Sequence, residues 1–137
     1  MAGIRRVEYY YIVLPNRIGE GARIVNALKA EHVNLVALNG FPISTGRAQL
    51  DLVTSDPDAL FAAAQKIGIE VVGPKTAFLI QGRDRVGAVA DVLGKLTEAR
   101  INITAIQAIA TGEGLYGAIL WVKPRSVNKA AQALGVS

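Results

Sequence analysis

Two short segments carry residue types from which a small-molecule site could be built. They are NRIG at 16–19 and DRVG at 84–87, and each places a polar residue, an arginine and an aliphatic residue before a glycine that opens a helical pattern. The first amides of a helix lack intrahelical partners and carry partial positive charge, so they can receive a carboxylate. Asn16 or Asp84 could then meet the ammonium group of a zwitterion. The simpler alternative is that Asn16 and Asp84 only cap the helices.

Residues for acid–base or nucleophilic catalysis are scarce. The single histidine, His32, follows a helical pattern and is typical of a cation at the negative end of a helix dipole. Cysteine is absent, no carboxylate cluster has metal-ligand spacing, and no phosphate-binding loop is present. The sequence therefore predicts a protein that is not an enzyme and that holds no metal and no cofactor.

The composition favours a folded intracellular protein. Of 137 residues, 51% are hydrophobic and 19% are charged, which is ample for a core. The net charge of +4 is spread along the chain rather than clustered, so we expect no nucleic-acid partner. No stretch approaches the roughly 20 apolar residues that span a bilayer, and the start of the chain resembles a strand more than a signal peptide. We expect a cytoplasmic protein without a membrane partner.

An internal repeat organises the sequence. A shift of 68 residues lays 16–19 on 84–87, 33–35 on 101–103 and 50–53 on 118–121, and near the end the shift becomes 67. Because the matches are spread over the whole unit, they predict two modules, 1–73 and 74–137.

Each module shows the same order of hydrophobic periodicities. Helical stripes are expected from Ala22, Val25 and Leu28 in the first module and from Val89, Val92, Leu93 and Leu96 in the second. A second helix should start near Asp56. Strands are expected at 8–14, 33–41, 47–53 and 69–73, and at 76–80, 101–109 and 115–122. The order predicts an α+β fold of two ferredoxin-like β-α-β-β-α-β modules in tandem, each an antiparallel sheet with helices on one face. The fourth strand of the second module is short or missing.

Both alternating sets of the first strand are apolar, Tyr9, Tyr11 and Val13 on one side and Tyr10, Ile12 and Leu14 on the other. A sheet with one exposed face would show polar residues there. This pattern favours cover by a second sheet or subunit, and a homodimer is the expected form.

The loops with their downstream segments, HVNL at 32–35 and RINI at 100–103, resemble the ACT domain family over nearly the whole chain. The resemblance implies tandem domains that bind an amino acid at an interface between domains. By this resemblance Asn34 and Asn102 would reach the effector from a partner domain, although each could instead bond local backbone. The serine-sensing members have histidine where Leu14 and Gly82 stand here, which argues against serine. The candidate ligand residues are Asn16, Arg17, Ile18, Gly19, Asn34, Asp84, Arg85, Val86, Gly87 and Asn102.

These observations predict a non-catalytic regulatory protein that binds an amino acid effector and acts on a regulated enzyme or another protein. One alternative is an obligate interaction subunit without a working ligand site. Another is acylphosphatase-like chemistry, for which Arg17 and Asn34 would have to serve.

Overall fold

The computed structural model describes residues 3–137, which divide into two compact units. We call residues 9–74 the first unit, and residues 75–137 together with residues 3–8 the second unit. The division at 74/75 lies one residue from the predicted module boundary. The predicted bounds place residues 3–8 in the first module, whereas the observed units place them in the second.

The first unit has the element order that the periodicities predict. Its elements are β1 (Gly3–Pro15), of which it holds residues 9–15, α1 (Glu20–Ala30), β2 (Leu35–Ser44), β3 (Arg47–Thr54) and α2 (Pro57–Lys66), followed by the start of β4 (Val72–Arg83). The strands lie in the order β2-β3-β1 and pair antiparallel. As predicted, Asp56 caps α2, and its carboxylate accepts from the amide of Ala59 at 3.1 Å.

The second unit repeats this order. It contains the rest of β4, then α3 (Ala88–Glu98), β5 (Ile103–Gly112), β6 (Leu115–Val122), a 3₁₀ turn (Pro124–Ser126) and α4 (Val127–Leu134). Its strands lie in the order β4-β6-β5 and pair antiparallel. Each unit is therefore α+β and ferredoxin-like, which confirms the predicted fold.

The strand missing from the end of the second module is supplied by the start of the chain. Residues 3–8 of β1 belong to the second unit, where β1 neighbours β4. Ile4 packs against the core of this unit, and the guanidinium of Arg6 donates to the side chain of Asn128 at 2.7 Å. The edge of the second unit is thus completed by a segment distant in sequence.

In the first unit, the fourth strand is shorter than predicted. It begins at Val72, so residues 69–71 of the expected strand precede it. Gly73 lies so close to β1 that an added Cβ would stand 3.0 Å from the carbonyl oxygen of Tyr9 and 2.9 Å from the ring of Tyr10. Glycine at this position allows the two strands to approach closely.

The helices of each unit pack their buried stripes onto one face of the sheet. In α3 the predicted stripe is confirmed, since Val92 and Leu96 are buried. In α1 the predicted stripe was partly wrong, because Ala22 is exposed and Ile24 is buried in its place. Ile24 corresponds to Val92 under the 68-residue shift. Aligning the two modules would therefore have identified this buried position, which the spacing of apolar residues in the first module alone did not. No helix within residues 3–137 is long and apolar enough to span a bilayer.

Candidate functional site

The two candidate loops are held by the same backbone contact. The amide of Asn16 donates to the carbonyl of Gly46 at 2.9 Å, and the amide of Asp84 donates to the carbonyl of Gly114 at 2.9 Å. Both acceptors lie in the tight turns that join the second and third strands of their units. Each loop is therefore fixed against a hairpin, at the end of the sheet where the first helix begins.

Glycine sets the start of each first helix. Gly19 and Gly87 are the N-caps of α1 and α3, with φ of 88° and 87°, a left-handed conformation that favours glycine. Neither helix start has a side-chain cap. The alternative that Asn16 and Asp84 cap the helices is therefore wrong. The amides of Glu20 and Ala88 already donate, each at 3.2 Å, to the carbonyls of Arg17 and Arg85. In the first turn of α3, the amides of Val89 and Ala90 are therefore the ones left for another acceptor among residues 3–137.

In the second unit this loop borders a partly open cleft of about 350 Å³. That volume lies at the small end of the range for small-molecule pockets, about 300–1,000 Å³. One wall is the loop and the first turn of α3, and the other is formed by β5 and the start of β6. The lining residues are Asp84, Arg85, Gly87, Ala88, Val89, Ala90, Ala108, Ile109, Ala110 and Tyr116.

The charged groups lie at the exposed rim of this cleft. Asp84 and Arg85 are both exposed. The guanidinium of Arg85 is held on the helix, because it donates to the carbonyl of Val86 at 3.2 Å and to the carboxylate of Asp91. The Asp84 carboxylate makes no recorded hydrogen bond within residues 3–137 and can accept from a ligand amine.

Tyr116 contributes a polar group that the sequence reasoning missed. The residue is 5% exposed, it lines the cleft, and its hydroxyl is buried without a hydrogen-bond partner among residues 3–137. Buried tyrosine hydroxyls usually find a partner, and this one has less than 1 Å² of its own surface exposed, so it is an unsatisfied group of the core that does not open into the cleft. The available signal was a tyrosine at an inward position of β6, where the first unit has Ala48 under the 68-residue shift.

At the corresponding position of the first unit, the helix start already holds an anion. Glu20, the first residue of α1, accepts from the guanidinium groups of Arg17 at 3.1 Å and Arg23 at 3.0 Å. Its side chain is 16% exposed, against 71% for that of Arg17. The hydrogen bond from Arg23, assisted by Arg17, holds the pKa of Glu20 below its ordinary value of 4.5. The equivalent residue of the second unit is Ala88, which brings no charge.

The aliphatic members of the two loops point into solvent. Ile18 and Val86 are fully exposed. A large apolar side chain in this state contributes nothing to its own core, and it is available to a ligand or to another chain.

Asn34 and Asn102 lie away from the loops of their own units. Each is exposed and directly precedes its strand, at the end where the first helix finishes, rather than starting the strand as predicted. An 11-residue helix spans about 16 Å, so Asn102 cannot share a small ligand with Asp84 of its own unit. His32 and Arg100 lie two residues before these asparagines. Their φ angles of 58° and 59° are left-handed, and each ends the first helix of its unit.

The segment 76–135 matches the family model of the ACT domain. These residues are an ACT domain. The domain spans β4 to α4 of the second unit, and it carries the cleft with Asp84, Arg85 and Tyr116. No curated protein sequence matches the chain.

Solved structures share the fold over almost the full length. A protein from Bacteroides thetaiotaomicron is similar with a TM-score of 0.82 at 22% identity, covering 96% of this chain and 88% of that one. The ligand-free regulatory subunit of aspartate kinase from Thermus thermophilus gives 0.67 at 16% identity, with 98% and 94% covered. The corresponding subunit from Thermus flavus gives 0.62 at 17% identity, also with 98% and 94% covered. Both units, and not the ACT segment alone, therefore take part in the likeness of fold.

Proposed function

We propose that this chain is a non-catalytic regulatory protein, and that it binds one amino acid per chain in the ACT-domain cleft of the second unit. The observation that carries the proposal is the cleft beside the uncapped start of α3, which lies within the segment that matches the ACT domain and has the Asp84 carboxylate at its rim. A helix start alone is a general feature of proteins, whereas a helix start that borders a cleft of ligand size beside an exposed carboxylate can receive both charged groups of a zwitterion.

The ligand groups follow from the chemistry of the cleft. The α-carboxylate faces the free amides in the first turn of α3, where the helix dipole favours negative charge. The α-ammonium pairs with Asp84 at the rim. Gly87 permits close approach at the helix start, and Arg85 and Val86 border the ligand from the loop.

The first unit supports binding less well. Glu20 places a carboxylate in the first turn of α1 and pairs it with two arginines, so a ligand carboxylate would meet like charge there. On this account the first loop has the same backbone shape as the second, but the helix that follows it already carries the carboxylate of Glu20. This first loop consists of Asn16, Arg17, Ile18 and Gly19. Asn34 and Asn102 could meet an effector only from a neighbouring unit or chain.

Ligand binding would change the activity of another protein by shifting the population between two arrangements of the regulatory protein. A ligand changes the activity of a partner only if it binds one arrangement of the regulatory protein more tightly than another. Because two similar structures are named as regulatory subunits of aspartate kinase, we propose an enzyme as the regulated partner, in the cytoplasm.

Calorimetry of the intact chain against the common amino acids tests the proposal. We expect at least one ligand to bind with a stoichiometry of about one per chain. Asp84→Ala should weaken binding at least about tenfold, because a charge-assisted contact is lost. Asn16→Ala is the matched control in the first loop and should bind as the wild type does. Silence across the panel, or equal losses in both variants, would overturn the proposal.

A homodimer is the second part of the proposal, and edge strand β2 supports it. Four apolar residues of this strand are more than a third exposed, namely Val36, Leu38, Phe41 and Ile43. An edge strand with exposed apolar residues favours pairing with another strand, and two copies of one edge can satisfy each other. Light scattering should give a dimer for the wild type and a monomer for Leu38→Lys. Leu115→Lys is the control, since Leu115 is 41% exposed against 49% for Leu38.

The same surface favours a second candidate function, an obligate interaction subunit without a ligand. In that case the dimer would form as described, and no amino acid would produce heat in the titration. The two candidates are separated by the calorimetry and not by the dimer.

A further inference from the structure

The guanidinium of Arg85 lies against the start of α3. It donates to the carbonyl oxygen of Val86 at 3.2 Å and to the carboxylate of Asp91 in the first turn of the helix. Its Nη1 is 3.7 Å from the position that a Cβ would take on Gly87. Arg85 also lines the cleft. A positive charge therefore stands at the rim of the cleft, beside the helix start that would receive a ligand carboxylate.

The ion pair that holds Arg85 is open to solvent. The side chains of Arg85 and Asp91 are 52% and 63% exposed. Water screens a pair with this exposure, so the pair contributes little to stability. In the first unit, by contrast, the loop arginine pairs with Glu20, whose side chain is only 16% exposed. Arg85 can therefore exchange one carboxylate for another at little cost.

A ligand carboxylate would compete with Asp91 for Arg85. A carboxylate placed against the amides of Val89 and Ala90 lies near the guanidinium, and both kinds of donor favour its negative charge. The strongest contact between a guanidinium and a carboxylate uses two parallel donors. The terminal nitrogens that would supply them are engaged by Val86 and Asp91. Release of Asp91 makes this pair of donors available.

We propose that Arg85 binds the carboxylate of the effector, and that Asp91 is a built-in competitor that sets the affinity. Asp91 is a positioning residue, since it acts through Arg85 and not by touching the ligand. With the ligand ammonium at Asp84, two neighbouring loop residues take opposite ends of one zwitterion. This inference rests on the proposed function, since it assumes that an amino acid occupies the cleft.

A double-mutant cycle of Arg85→Gln and Asp91→Asn tests the inference. Each common L-amino acid is titrated by calorimetry into the intact wild type, the two single variants and the double variant. Arg85→Gln should weaken binding at least about tenfold, because a charge-assisted contact is lost. Asp91→Asn should tighten binding about 2- to 5-fold, the value of an exposed ion pair. In the Arg85→Gln background this gain should be largely lost, because no guanidinium remains to be released.

Two exposed residues of the same helix provide matched controls. Lys95→Gln and Glu98→Gln each remove one charge from α3 and should leave the affinity unchanged. The carboxamide derivative of the best-bound amino acid identifies the ligand group, because it lacks the carboxylate. Its affinity should be the same for the wild type and for Arg85→Gln.

Other outcomes overturn the inference in distinguishable ways. Unchanged affinity in Arg85→Gln would remove Arg85 from the binding of the carboxylate. An equal gain from Asp91→Asn in both backgrounds would show that Asp91 merely repels the ligand. Either result would leave the cleft as a binding site, whereas no binding of any amino acid by the wild type would overturn the proposed function itself.

Discussion

The carboxylate of Glu20 accepts a hydrogen bond from the Nε of Arg23 at 3.0 Å, in the first turn of α1. The helix that follows the other loop has Ala88 at this position, and the carboxylate that pairs with its loop arginine is Asp91, three residues further along. Two loops with the same backbone shape are thus followed by helices whose first-turn carboxylates stand at different positions. This difference gives the two units different proposed roles.

The buried hydroxyl of Tyr116 predicts a gain in stability on its removal. Tyr116→Phe deletes a polar atom without a partner and leaves the ring in place, so the free energy of unfolding should rise by about 1 kcal/mol in the absence of ligand. Urea denaturation of both proteins measures the change. A loss of stability would show that the hydroxyl has a partner within the protein.

The ion pairs of Glu20 predict a dependence of stability on acid pH. Because arginine contacts lower the pKa of Glu20 in the folded protein, its stabilising effect is present above the unfolded value of 4.5 and is lost as the pH falls through the folded value. Glu20→Gln should therefore lose less stability than the wild type between about pH 6 and pH 3. Parallel losses in the two proteins would contradict the role of these contacts.

Two glycines near α3 predict opposite effects of the same substitution. Gly87→Ala forces a side chain into φ of 87° and should destabilise the protein by about 1–2 kcal/mol. Gly94→Ala lies within the helix, where an added Cβ meets open space, and should stabilise it by roughly 0.5–1 kcal/mol. Thermal denaturation of both variants checks the signs, and equal effects would contradict the helix start described for Gly87.

The supply of a strand by residues 3–8 predicts that this segment stabilises the ACT domain. Ile4→Ala removes a half-buried contact with the core of the second unit and should cost about 1 kcal/mol. Arg5→Ala, at an exposed neighbouring position, is the control and should be nearly neutral. Hydrogen exchange of β4 should quicken in the first variant. If the two variants behave alike, the segment does not stabilise the domain as described.

The sequence was sufficient to predict the helices and strands of both units, because the sequence signals for these elements are local. Alternation, turn glycines and the Asp56 cap each depend on a few neighbouring residues, and the 68-residue repeat confirmed their order. The origin of the last strand was beyond such reasoning. Residues 3–8 pack with a segment more than 70 positions away, and nothing in their own pattern indicates which unit they join.

The candidate site was partly predictable for the same reason. The loop, the glycine helix start and Asp84 follow from a motif of four residues. Tyr116 was missed because its importance comes from burial beside a loop 32 residues earlier in the chain. The role of Glu20 was missed because it depends on two arginines that lie on either side of it, at 17 and 23, and are brought together only by the helix.

The central claim is that the start of α3 is open to a ligand carboxylate, whereas the start of α1 is closed by Glu20. Calorimetric titration of the wild type, Ala88→Glu and Glu20→Ala with the best-bound amino acid tests it most directly. The account predicts that Ala88→Glu abolishes binding and that Glu20→Ala retains the site in the second unit. Undiminished binding in Ala88→Glu, or its loss in Glu20→Ala, would contradict it.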